Sequence, residues 1–64
     1  MRKIGEINTG RTTFIIKVDD EDIKTPYRVY RKYWDNGYHQ RLHDKYRDLY
    51  SCLLYIQDRV IRGE

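Results

Sequence analysis

Tyr27-Arg28-Val29-Tyr30-Arg31-Lys32-Tyr33-Trp34, then Asp35-Asn36-Gly37, then Tyr38-His39-Gln40-Arg41-Leu42-His43-Asp44-Lys45-Tyr46, is the stretch whose reading decides the fold. Asn-Gly between two aromatic-rich runs is a strong hairpin signal, because a type I′ turn needs positive φ at both central positions. Asn and Gly tolerate that backbone; other residues mostly do not. With Asn36 and Gly37 as a two-residue loop, Asp35 faces Tyr38, Trp34 faces His39, Lys32 faces Arg41 and Arg28 faces Lys45.

Alternation then gives the ribbon two unlike faces. Tyr27, Val29, Arg31 and Tyr33 lie with Tyr38, Gln40, Leu42, Asp44 and Tyr46 on a core side. Arg28, Tyr30, Lys32 and Trp34 lie with His39, Arg41, His43 and Lys45 on the other, which carries no carboxylate of its own. Like charges opposite each other destabilise a sheet, so two such pairs imply an anion above them. An ordinary solvated face is the plainer explanation, since basic residues outnumber acidic ones 13 to 10. A three-residue loop with a bulged Gly37 is the alternative register, and it moves Tyr30 and Trp34 to the side of Leu42.

Two other readings of this region bear on the fold. Tyr38, Leu42, Tyr46, Leu49, Leu53, Ile56 and Val60 are spaced by three or four, which one long helix also satisfies. On that helix His39 and His43 form an i, i+4 pair able to share a metal; on a strand they stand about 13 Å apart. The strand is preferred, because Asn36-Gly37 and a helix cap at Asp48 then both have a role.

Outward from the hairpin, Thr12 to Val18 reads as a strand dense in β-branched residues. Phe14, Ile16 and Val18 share one side, and Ile15, Thr13 and Lys17 the other, so both faces are partly covered. Met1 to Gly10 is an edge strand or a loose arm, ending in the turn signal Asn8-Thr9-Gly10. Asp19 to Asp22 lacks the spaced ligands and central Gly of a calcium loop and reads as a solvated loop. It points away from any phosphate backbone. Pro26 suits the start of a strand. After the hairpin, Leu49, Leu53, Ile56 and Val60 recur at helical spacing with Cys52 beside them. Asp48 is the N-cap, Arg59 and Arg62 suit the C-terminal dipole, and Gly63 ends the helix.

The expected fold is therefore α+β: a three-stranded antiparallel sheet, four-stranded if residues 1–10 join it, with one C-terminal helix on one face. At 64 residues it is one small domain, burying only about 60% of the surface of its unfolded chain. Seven tyrosines serve mostly as half-wet core, and their polar tips suit interfaces. Net charge is +3. Up to Pro26 basic and acidic residues balance at five each, and from Tyr27 onward eight face five. A polyanion or an acidic protein surface is the implied partner. Cys52 is the only cysteine, which fits a reducing compartment and a small buried apolar role. No apolar run approaches a membrane span or a signal peptide, so a cytoplasmic location is expected. With no Gly-rich phosphate loop, no Ser, His and carboxylate set and no Cys/His metal spacing, the chain reads as non-enzymatic, with no cofactor and no metal.

Residues 27–56 resemble the small N-terminal DNA-binding domain of phage and transposon tyrosine integrases, an architecture also found in plant AP2-type domains. The resemblance is carried by Tyr27-Arg28-Val29, Gly37, Arg41, Tyr46, Asp48 and Cys52, with Tyr55-Ile56 on the next turn. It implies that the sheet face opposite the helix enters the major groove of duplex DNA, with Arg28, Lys32, Trp34, Arg41 and Lys45 at the nucleic acid. Two departures stand out: the first strand offers only Lys17 as a charged reader, and Asp19 to Asp22 replace the usual basic turn. No recombinase domain follows, so a stand-alone regulatory binder is the expectation. In that role Arg28, Lys32, Arg41 and Lys45 hold phosphates while Tyr30, Trp34 and His39 stack or make groove contacts. The alternative is a protein-binding module or inhibitor of mobile-element origin acting through its Tyr and Trp surface, with a homodimer formed along the sheet edge.

Overall fold

The computed structural model describes residues 1–33 and 39–63, with His39 described by its backbone only. The chain runs β1 (Arg2–Asn8), β2 (Thr13–Val18), β3 (Tyr27–Tyr33), β4 (His39–Tyr46) and α1 (Leu49–Ile61). The strands form one antiparallel sheet in sequential order, β1-β2-β3-β4. Residues 2–8 are thus the edge strand rather than a loose arm, and residues 39–46 are strand rather than the start of a long helix. The i, i+4 histidine pair disappears with that helix. The Asn36-Gly37 turn type, Trp34 and Tyr38 lie outside the described residues.

Local chemistry explains the boundaries. Gly10 supplies positive φ in the β1–β2 turn, where the Asn8 side chain accepts from the Gly10 amide at 2.8 Å. The Asp48 carboxylate caps α1 by accepting from the Ser51 amide at 2.8 Å, which holds it below the usual carboxylate range. Gly63, also at positive φ, donates to the Val60 carbonyl at 3.0 Å and closes the helix.

The core lies between the sheet and α1: Phe14, Ile16, Val29, Cys52 and Ile56, with Ile7, Tyr27, Tyr46 and Tyr55 packed around it. Tyr55 meets Phe14 edge to face at 6.4 Å. α1 lies over β3 and β4. Of the expected apolar stripe only Ile56 is fully buried, together with Cys52; Leu49, Leu53 and Val60 stay partly exposed. The helix is rolled so that Tyr55, Cys52 and Ile56 meet the sheet, with the Tyr55 ring edge-on to Phe14.

The hairpin register holds in one half and slips in the other. Tyr27 pairs with Tyr46, Arg28 with Lys45 and Val29 with Asp44, as the two-residue loop requires. A bulge follows, and then Tyr30 pairs with Leu42, Arg31 with Arg41, Lys32 with Gln40 and Tyr33 with His39. His43 is the extra residue. A bulge admits one unpaired residue and reverses the sidedness of all that lies beyond it. Lys32 therefore faces Gln40 instead of Arg41, and Tyr30 shares a side with Leu42, as in the alternative register.

Candidate nucleic-acid interface

The sheet face away from α1 is best seen as rows running across the strands. One row is Lys3, Lys17, Arg28 and Lys45, each the cross-strand partner of the next. Four cations side by side at the ordinary interstrand spacing of about 4.8 Å reach roughly 14 Å across the sheet. The row beside it is Glu6, Ile15, Tyr30 and Leu42. Beyond it come the pairs Asn8 with Thr13 and Lys32 with Gln40.

Ile15 is only 1% exposed although no helix covers this side. Its cover is built from polar side chains with long apolar stems. Lys32 on β3 ion-pairs with Glu6 on β1, so the bridge spans β2 in the region of Ile15. Glu6 also takes Lys3 at 3.3 Å. The Lys17 ammonium stands 4.6 Å from the centre of the Tyr30 ring, a cation–π contact. The Tyr30 hydroxyl lies 3.5 Å from the Met1 sulfur. The hydrogen bonds from Lys32 and Lys3 hold the Glu6 carboxyl below its usual range.

Carboxylates thus reach this face from outside the hairpin. Besides Glu6, the Asp19–Asp22 run turns back toward it: the Arg28 guanidinium lies 3.0 Å from Asp19 and 3.3 Å from Asp22. Asp22 also accepts from the Thr25 and Lys24 amides at 3.0 and 3.2 Å, ordering the loop. The Thr25 amide is the chief cause of its lowered pKa. The loop expected to point away from the face instead clamps its central arginine.

Of the residues expected here, Arg28, Tyr30, Lys32 and Lys45 share the face. Arg28 and Lys32 are ion-paired, whereas Lys45 is exposed and has no carboxylate partner among the described residues. Arg41 does not join them. The bulge turns it to the helix side, where it pairs with Arg31 and lies 5.4 Å from the centre of the Tyr33 ring. His43 is turned the same way: its Nδ1 is 2.9 Å from the Tyr55 hydroxyl and its Nε2 is 3.1 Å from that of Tyr33. Gln40 and Leu42 take the places expected for Arg41 and His43. His39 pairs through its backbone with Tyr33; its side chain, and Trp34 entirely, lie outside the described residues.

The hairpin reading missed Lys3 and placed Lys17 outward without assigning it a partner row. Lys17 was within reach, being two residues from the outward Ile15. Lys3 was not, because the β1–β2 register shifts at Ile4. Among the described residues no group of acidic, His or Cys side chains is placed to hold a metal ion. No helix there is long and apolar enough to cross a membrane. The Cys52 thiol is pushed up to about 11 by burial, which suits packing rather than nucleophilic chemistry. Comparison with protein-family models, curated proteins and solved structures finds no match.

Proposed function

We infer that this chain is a non-enzymatic binding domain for nucleic acid, with duplex DNA as its target, and that it acts through the sheet face opposite α1. The observation that carries the reading is the row Lys3, Lys17, Arg28 and Lys45, in which each cation faces another across the ladder. Such juxtaposition is unfavourable; Asp19 and Asp22 offset it at Arg28 and Glu6 at Lys3, which leaves Lys17 and Lys45 to attract an external anion. Lys17 and Lys45, without carboxylate partners among the described residues, reach the phosphates together with the exposed Lys3. Arg28 positions the row, since Asp19 and Asp22 hold its guanidinium. Tyr30 and Leu42 beside the row supply the apolar contact for sugar or base edges. A reader face opposite a helix is also what the resemblance to the integrase DNA-binding domains implies. On this reading it is a small regulatory binder of mobile-element type, as that resemblance implies, at work in the cytoplasm, as expected from the sequence.

The test is binding to a short duplex followed by fluorescence anisotropy. Three phosphate contacts give a log–log salt slope of about −3, so a fourfold rise in salt weakens binding by roughly 40-fold. The double variant Lys17→Glu and Lys45→Glu loses binding, while Lys24→Glu, in the loop off this face, retains it. Equal affinity of the double variant and the native chain defeats the proposal.

A further inference from the structure

Arg28 is the one guanidinium in the cationic row, between Lys17 on β2 and Lys45 on β4. It is also the member whose charge is drawn away from the face. Its side chain is only 16% exposed and reaches the loop after β2, where Asp19 at 3.0 Å and Asp22 at 3.3 Å meet the same nitrogen, Nη2. Nη1 is turned to the Met1 sulfur at 3.9 Å, and Nε is buried without a hydrogen-bond partner. A guanidinium is a planar fork of donors suited to two oxygens at once. Here the carboxylates take one corner of that fork, and its Nε is left unmet.

The two carboxylates, by contrast, are held without the arginine. Asp19 Oδ1 accepts from the Glu21 amide at 3.1 Å, and the Asp19 amide donates to the Pro26 carbonyl at 2.8 Å. Asp22 Oδ1 accepts from the Lys24 and Thr25 amides at 3.2 and 3.0 Å, and its Oδ2 from the Thr25 hydroxyl at 3.1 Å. The loop therefore keeps its shape when Arg28 leaves it, and the guanidinium is the exchangeable member of the cluster. Released, Arg28 stands between Lys17 and Lys45, about 4.8 Å of interstrand spacing from each. A phosphate engaged by either lysine is then within its reach and takes two donors in place of one corner.

We propose that Arg28 is a further phosphate-binding residue, and that Asp19 and Asp22 stand in for the phosphate in the free chain. The inference rests on the reading of this face as the nucleic-acid interface. A phosphate that takes Arg28 displaces two carboxylates that stay close by. The clamp thus holds the affinity of the native chain for a polyanion below what its row of cations can reach. Without the clamp, Arg28 adds a fourth contact to those of Lys3, Lys17 and Lys45.

Duplex binding by anisotropy across a range of salt tests this, for the native chain and for the double variant Asp19→Asn with Asp22→Asn. Asparagine keeps a side-chain carbonyl for the loop amides, and unchanged circular dichroism checks the fold. The double variant is expected to have a log–log salt slope steeper by about one and, at low salt, roughly tenfold higher affinity. Asp19→Asn alone, which leaves the Asp22 bonds intact, gives part of that gain. Adding Arg28→Gln to the double variant cancels both the gain and the steeper slope. Glu21→Gln removes one charge from an exposed position of the same loop that does not pair with Arg28, and changes affinity less than about twofold. A gain that survives Arg28→Gln, an unchanged slope, or a gain in Glu21→Gln equal to that in Asp19→Asn overturns the proposal and leaves the interface in place. A native chain that binds no duplex at all defeats the interface first, and this inference with it.

Discussion

The two faces of the same four strands bury apolar surface by different means. Toward α1, Phe14, Ile16 and Val29 meet Cys52 and Ile56, apolar against apolar, under a helix capped at both ends. Away from α1, Ile15 is as fully buried as any of them, yet its roof consists of Lys32, Glu6, Tyr30 and Lys17. A helix packs as a rigid body at near-crystalline density. Long charged stems cover by lying flat, and their ionised tips hold one another in place. A domain too small for a second layer on both sides can thus still cover both sides, and the polar roof doubles as a cationic surface. The first face is expected to respond to mutation like a core, the second like an electrostatic assembly.

The sharpest way to break that contrast is to truncate one residue on each side. Phe14→Ala is expected to cost about 3–5 kcal/mol. A domain of this size holds only roughly 3–5 kcal/mol in all, so the variant should be largely unfolded at room temperature, as judged by urea titration. Ile15→Ala should cost about 2–3 kcal/mol, at the low end for such a truncation, because a roof of flexible stems can settle into the space. Equal losses at the two positions would mean that the roof is as rigid as the helix.

A smaller effect separates the faces by thiol chemistry. Burial raises the Cys52 pKa to about 11 from 9.0. The folded state thus favours the neutral thiol: this contribution is complete below pH 9 and is lost as pH rises toward 11. At pH 8 a thiol reagent should modify Cys52 only at the rate of global unfolding, and Phe14→Ala should accelerate it far more than Glu6→Gln. Comparable acceleration by both would show that the open face guards the core as much as the helix does.

Smallest of all should be the acid response of the roof. The folded-state pKa values of Glu6 and Asp22 lie below 4.5 and 3.8, lowered first by the Lys32 hydrogen bond and by the Thr25 amide respectively. Their contribution is therefore present above those pH values and fades as pH falls through the lower folded-state values. Urea midpoints followed from neutral to acidic pH should drop at that end, and Glu6→Gln should flatten the drop. Added salt should shift the native midpoint only modestly, since pairs this exposed are screened. An unchanged acid limb in Glu6→Gln would assign the cover of Ile15 to apolar stems alone.

Particular residues show how far local pattern reaches. Thr13 to Val18 is a strand because all its side chains but Lys17 are β-branched or aromatic, and Ile15 is covered on the far side as its alternation foretold. Asp48 and Gly63 bracket α1 because caps act within a turn of where they stand. Arg41, by contrast, was assigned to the cationic face by counting in twos from the turn, and one bulge at His43 moved it to the other side. Nothing within a few residues of His43 announces that bulge; its ring lies between the hydroxyls of Tyr33 and Tyr55, from β3 and α1.

What this chain determines by sequence alone is whatever depends on neighbours a turn or a pleat apart: the strand at Thr13–Val18 and its alternation, the caps of α1 at Asp48 and Gly63, and the pairing of Arg28 with Lys45. Only the assembled sheet decided which charges meet, because Glu6 reaches Lys32 across a whole strand and Asp19 and Asp22 fold back on Arg28. It also decided how far α1 rolls, and therefore which of its leucines remain in water. Those outcomes turn on side chains far apart along the chain competing for the same few ångströms, and one residue of register is enough to exchange the winners.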